Sequence, residues 1–127
     1  MNAVLNIDAA HFADELREEG TPYISPALFA ERMHISLQSL ADLAQVHRST
    51  LQRSPGTERA QAYMREALGV VGMILELNGG DSDRAIYWYR NTPLTELGGG
   101  TAESFVREGK AEAIRRYVRN LSAGATG

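Results

Sequence analysis

The chain has 127 residues, no cysteine, and 13 basic against 16 acidic residues, for a formal net charge of −3. That length suits one domain, or two small helical units sharing a core, and should bury roughly two thirds of its unfolded surface without covalent staples. Disulfides and thiolate metal sites are excluded, as is a uniformly basic, histone-like nucleic-acid binder.

The charge is uneven along the chain. Residues 1–24 carry Asp8, Asp14, Glu15, Glu18 and Glu19 against Arg17 alone, a net of −4, and the remainder carries +1. Twelve of the 13 bases are arginine, with Lys110 the exception. The guanidinium fork suits phosphate, guanine and carboxylate, although a GC-rich genome produces the same bias. The longest apolar run, residues 67–75, is far short of the roughly 20 residues of a membrane span. No signal-peptide pattern opens the chain, so the expected compartment is the cytoplasm.

Taken in chain order, residues 1–24 read as an acidic leader. Phe12 and Leu16, four apart, allow a short helix over 9–19 or partial disorder, and Gly20-Thr21-Pro22 breaks it. Ser25 as cap and Pro26 at the first helical position open a firmer helix, with Leu28, Phe29 and Met33 inward and an end near His34. Ser36 caps the next, with Leu37, Leu40, Ala41, Leu43 and Ala44 apolar. A tight turn at Gln45-Val46-His47 leads to a short third helix, 48–53, with Leu51 inward, stopped by Ser54-Pro55-Gly56.

Thr57 is placed to cap a long helix over 58–78, about 30 Å at 1.5 Å per residue. Its repeat of Ala60, Met64, Ala67, Leu68, Val71, Ile74 and Leu75 predicts a central position, and Gly69 and Gly72 predict close helix packing. Asn78-Gly79-Gly80 ends it. Asp81 caps a helix reaching about residue 90 that carries Tyr87, Trp88 and Tyr89, three aromatics that point three ways. Trp88 is expected in the core, and an exposed Tyr87 or Tyr89 would suit a partner contact. Leu94 and Leu97 sit in a connector ending in Gly98-Gly99-Gly100. Thr101 caps a short helix with Ala102, Phe105 and Val106 inward. Gly109 then precedes a last helix over 110–122, with Ala111, Ile114, Val118 and Leu121 as its stripe and a frayed tail beyond. With no alternating β-branched run, the fold is expected to be all-α with about seven helices. An N-terminal helix-turn-helix unit (25–56) would pack on a second helical unit (57–127).

Four constellations can carry function. The segment 36–53 has helix-turn-helix grammar: Ala41 is small where helices cross, Val46 anchors the turn, and Leu51 pins the second helix. This leaves His47, Arg48, Ser49, Gln52 and Arg53 outward, with Thr50 at the rim, as candidate DNA-binding residues. Gln45 stands where glycine is common in such turns, and a leucine-packed helical hairpin has the same pattern. The last helix is arginine-rich: Arg115 and Arg119 share a face, while Arg116 lies four after Glu112, the order for a local ion pair. It reads either as a face for an acidic partner or as a solvated helix end, where cations are favoured. Gly98-Gly99-Gly100-Thr101 lacks the Gly-Lys-Ser/Thr of a phosphate loop and reads as a turn with a cap. The fourth is the Tyr87-Trp88-Tyr89 run. His11, His34 and His47 lack zinc spacing, and Asp81 with Asp83 lacks calcium-loop spacing. No catalytic residue, metal or cofactor is expected.

The ordered set Trp88, Thr92-Pro93-Leu94, Leu97-Gly98-Gly99-Gly100-Thr101-Ala102, Phe105-Val106, Gly109, Ile114, Tyr117-Val118, Leu121 and Gly124 resembles the toxin-binding domain of the Xre/MbcA/ParS antitoxins. The segment before it resembles their Xre-like helix-turn-helix, so the likeness covers about residues 25–124. It implies a bacterial type II toxin–antitoxin system. The partner would be a RES-domain toxin that degrades NAD, whose active-site cleft the C-terminal region occludes. It also implies repression of the operon through binding of operator DNA, commonly as a homodimer. Carried onto this chain, the toxin-facing surface is the last helix and tail, with Arg115, Arg116, Arg119 and Gly124. Ala102 stands where many members carry proline, and the acidic leader lies outside the pattern. A stand-alone helix-turn-helix regulator whose C-terminal unit only dimerises, and an interaction module that binds no DNA, are the alternatives.

Overall fold

In the computed structural model, which describes residues 8–126, one long helix organises the rest. The elements are α1 (Ala9–Asp14), α2 (Pro26–Met33), α3 (Leu37–Ala44), α4 (Arg48–Arg53), α5 (Glu58–Leu77), α6 (Ser82–Asn91), α7 (Ala102–Arg107) and α8 (Ala111–Thr126), with a 3-10 turn at Thr95–Leu97. The fold is all-α. Among the described residues the only β-type contact is an isolated bridge between Arg17 and Ile24.

α5 packs against α1, α3, α6, α7 and α8. Its Ala60, Met64, Ala67, Val70, Val71 and Leu75 are fully buried, as the near-continuous apolar run requires. Gly72 has a steric role: a Cβ there would lie 2.9 Å from the Ala9 methyl, so its absence lets α1 lie against the α5 backbone. Gly69 faces the Arg115 guanidinium of α8. A single apolar cluster runs from Phe12 through α2–α4 and α5 to Val118.

Caps set most boundaries. The hydroxyls of Ser25, Ser36 and Thr101 and the Asp81 carboxylate each accept the backbone N–H three residues on, at Leu28, Ser39, Ser104 and Arg84. Thr57 is an exception to expectation. Its hydroxyl donates to the Ser54 carbonyl at 2.6 Å, so α5 starts without a side-chain cap.

Several expectations are corrected. Of the acidic leader, residues 1–7 lie outside the described residues, and the rest is docked: Phe12 and Leu16 are buried, and the chain doubles back through Glu18 N–H to Tyr23 C=O and Ser25 N–H to Leu16 C=O, each 2.8 Å. Its helix stops at Asp14 rather than near residue 19. Leu28 and Leu121, read as inward, are exposed; α2 buries Phe29, Ala30 and Met33, and α8 buries Ala111, Ile114 and Val118. The residues read as a frayed tail continue α8 to Thr126. Leu94, read as a connector, is buried, and its backbone bonds to Gly99 N–H and Gly100 C=O close the glycine turn around it. Of the three aromatics, Tyr89 is the core residue, Trp88 is half-buried, and Tyr87 is 68% exposed. Burial pushes the Tyr63 phenol up to about 12 and the Tyr89 phenol well above its usual value, so both stay protonated and serve as core.

Two non-glycine residues close helices in the left-handed region, His34 (φ 60°) and Gln45 (φ 59°). L-residues pay roughly 1 kcal/mol there. His34 is exposed, so His34→Gly is expected to raise stability by about 1 kcal/mol, read as a higher thermal unfolding midpoint. A lower midpoint would mean that the imidazole contributes more than the backbone relief. Gln45→Gly gains the same relief but loses the side-chain hydrogen bond to the Arg107 carbonyl, so its midpoint is expected to stay near that of the parent.

Arg90 ties the N-terminal helices to the C-terminal ones. Its Nε lies 3.2 Å from Glu103 Oε2 of α7, and its Nη1 donates toward the Met33 and His34 carbonyls at 3.4 and 3.5 Å. A cation at the C-terminal end of α2 is favoured by that helix's dipole.

Candidate nucleic-acid interface

α3, the turn and α4 form a hairpin whose inner surface is Leu40, Ala41, Ala44 and Leu51, all buried. Ala41 has no exposed surface, which fits its position where the helices cross. Val46 is half-buried, and its N–H bonds to the Ala41 carbonyl at 3.0 Å, closing α3. Gln45 takes the left-handed position that glycine commonly fills. Its side chain has a compensating role, donating to the Arg107 carbonyl of α7 at 3.1 Å, while its own carbonyl accepts from Arg59 of α5 at 3.4 Å.

α4 has six residues, about 9 Å of helix at 1.5 Å per residue. With Leu51 fixed inward, Arg48, Ser49, Gln52 and Arg53 fall on one arc of about 140° at ~100° per residue. All four are exposed, as is His47 just before the helix, and Thr50 is half-buried at the rim. His47 occupies the cap position without a side-chain cap bond. None of these six side chains makes a hydrogen bond or ion pair within the described residues. Their donors are therefore free for an external acceptor. Serine, glutamine, histidine and arginine supply the short donors and forks that read base edges and phosphates.

The arginines of α8 differ. Arg115 turns toward α5, with Nη2 2.9 Å from Glu66 Oε1 and Nη1 3.5 Å from Glu112 Oε1. Arg119 reaches Glu112 Oε2 at 2.9 Å. The hydrogen bond from Arg119 is the main cause holding the Glu112 carboxyl below its ordinary range, and the bond to Glu66 raises Arg115. The expected Glu112–Arg116 pair does not form, because both oxygens of Glu112 are engaged by Arg115 and Arg119. Arg116 is exposed with no partner among the described residues. Gly124, exposed within α8, lies nine residues after Arg115 and so about 180° around the helix. The four residues read as one toxin-facing group are thus not one surface.

An apolar surface that the sequence reading did not assemble lies at the end of α8. Leu77, Tyr87 and Leu121 are exposed and, with half-buried Trp88, line a groove of about 370 Å³ also bounded by Ile74 and Arg84. The exposed aromatic was foreseeable from three consecutive rings on one helix. Leu77 and Leu121 were not, because each continues a stripe whose other members are buried.

Among the described residues, no group of three or more His, Cys, Asp or Glu side chains is placed to hold a metal ion, and no helix is long and apolar enough to cross a membrane. Comparison with protein-family models, with curated proteins and with solved structures finds no match to the chain.

Proposed function

We propose that the chain is a DNA-binding antitoxin of a bacterial type II toxin–antitoxin pair, acting in the cytoplasm. α4 reads operator DNA to repress the operon. The C-terminal unit occludes the active site of a RES-type, NAD-degrading toxin. As a homodimer it places two copies of α4 on half-sites one helical turn apart, roughly 34–36 Å. The observation that carries the DNA-binding half is the arc of uncommitted polar side chains on α4, beside other basic side chains that are largely engaged within the chain. The toxin-binding half is supported by the ordered residues from Trp88 to Gly124, and by the apolar groove that Leu121 brings to the end of α8. Co-expression with the product of the adjacent gene is the test. Rescue of growth and a co-purifying complex are expected, whereas a harmless neighbour that does not co-purify would sink the antitoxin reading.

The groove also yields a prediction. Tyr87→Asp with Leu121→Asp alters side chains that are 68% and 40% exposed, so the thermal midpoint should move little. An aromatic anchor and its apolar neighbour at an interface are each worth about 1–2 kcal/mol, so toxin affinity by titration calorimetry should fall roughly tenfold or more, with DNA binding intact. Unchanged toxin affinity would move the contact elsewhere.

A second reading, a stand-alone helix-turn-helix regulator, is favoured by one observation: Arg115 and Arg119 are engaged by Glu66 and Glu112, as in a helix that only packs. On that reading, Arg119→Glu weakens DNA binding through loss of the dimer and disturbs no other partner.

A further inference from the structure

We propose that Arg59, in the first turn of α5, and Arg107, the last residue of α7, form a clamp on the phosphodiester backbone beside the groove that α4 enters. The inference rests on the DNA-binding reading and extends it to residues outside the helix-turn-helix. Both arginines reach the C-terminal end of α3. Arg59 Nη1 lies 3.4 Å from the Gln45 carbonyl oxygen, and Arg107 Nε lies 3.5 Å from that of Asp42. These are long bonds at the limit of hydrogen-bonding distance, made by exposed side chains. Each guanidinium has five N–H donors, so most of its donors stay free.

The two side chains line one cleft of about 280 Å³ together with Gln45 and Glu66. Among the described residues Glu66 is the only carboxylate lining that cleft, and it is already bonded to Arg115 at 2.9 Å. Neither Arg59 nor Arg107 has an ion-pair partner among the described residues, unlike Arg65, Arg90, Arg115 and Arg119. Leu43, Ala62 and Val106 floor the cleft, and the two forks from separate helices, without ion-pair partners among the described residues and beside an acid already occupied, make its polar rim a site for an anion rather than for a cation. Its place selects the anion. When the second helix of a helix-turn-helix lies in the major groove, the first helix, here α3, crosses the sugar–phosphate backbone. Gln45 holds this cleft to the turn through both of its bonds, which gives a reason for glutamine where glycine would relieve strain.

The test uses the full chain and a labelled random-sequence duplex of about 30 base pairs, with anisotropy followed from about 50 to 200 mM salt. Arg59→Ala with Arg107→Ala should lower affinity equally on every sequence and reduce the slope of log K against log salt by about 2 per protomer, near 0.9 for each phosphate no longer neutralised. Arg59→Lys with Arg107→Lys keeps the charges and should restore most of that slope. A wild-type slope in the alanine variant overturns the clamp and leaves α4 standing. A parent chain that binds no duplex at any salt overturns both. Free phosphate is the other source of this chemistry. If inorganic phosphate stabilises the parent but not the alanine variant while their DNA slopes agree, the cleft holds a small anion and the clamp is overturned.

Discussion

Replacing Gln61 with alanine is expected to destabilise the fold by about 3 kcal/mol, the largest stability effect foreseen for a polar residue in this chain. The Gln61 side chain is only 3% exposed. Its Nε2 donates to the Ile24 and Pro55 carbonyls, both at 2.8 Å, and its Oε1 accepts the Ile24 N–H at 2.9 Å. One amide thereby joins the returning leader, the 54–57 loop and the central helix. Removing it leaves three backbone groups without a partner, at about 1–3 kcal/mol for each that water cannot reach. Ile24 and Pro55 are half-buried, so partial rehydration keeps the total toward the low end. Glu at the same position should be worse, since a carboxylate has no donor for either carbonyl and would be desolvated as well. Denaturant unfolding should show a lower midpoint with an unchanged slope, and the thermal midpoint should fall by roughly 10 °C. A loss below about 1 kcal/mol would mean that water takes over the amide's bonds.

Gln61 also marks the limit of sequence reading. The boundaries of α2 and α3 were legible because their determinants are local: Ser25-Pro26 and Ser36 cap within three residues. α5 was legible because an apolar run that long has to be central. Two of the three bonds of Gln61 go to Ile24, 37 residues away, so a polar residue inside an apolar stripe carries little local sign of what satisfies it. The same holds for Arg115. Spacing on its own helix suggested a face shared with Arg119, but its strongest partner is Glu66, 49 residues earlier. Leu28 and Leu121 failed for another reason. On α2 the buried Pro26, Phe29, Ala30 and Met33 share one face, and at ~100° per residue Leu28 falls about 150° from its centre, whereas Leu121 continues the stripe of Ile114 and Val118 and is nonetheless exposed. The outward set on α4 was legible, because a six-residue helix with one buried leucine leaves few choices of phase.

The largest expected functional effect is the loss of operator binding in Arg48→Ala with Arg53→Ala. These residues stand at the two ends of the outward arc of α4, exposed and without an internal partner. Their removal should change stability by no more than about 0.5 kcal/mol, so any loss of binding reports on the interface. A bidentate arginine contact to a base is worth about 1–3 kcal/mol, and a phosphate contact adds its share through counterion release. Together the two substitutions should weaken binding to the chain's own upstream DNA by roughly 1000-fold at fixed salt, about 4 kcal/mol. Bulk attraction cannot buffer the loss, because the net charge of −3 becomes −5. The control is Arg116→Ala, an equally exposed and unpaired arginine on α8, which should leave DNA affinity within about twofold of the parent. Two arginines on α4 and one on α8 differ in little but position. A matching loss from Arg116→Ala would therefore show that charge alone, rather than the arc presented by α4, carries the contact.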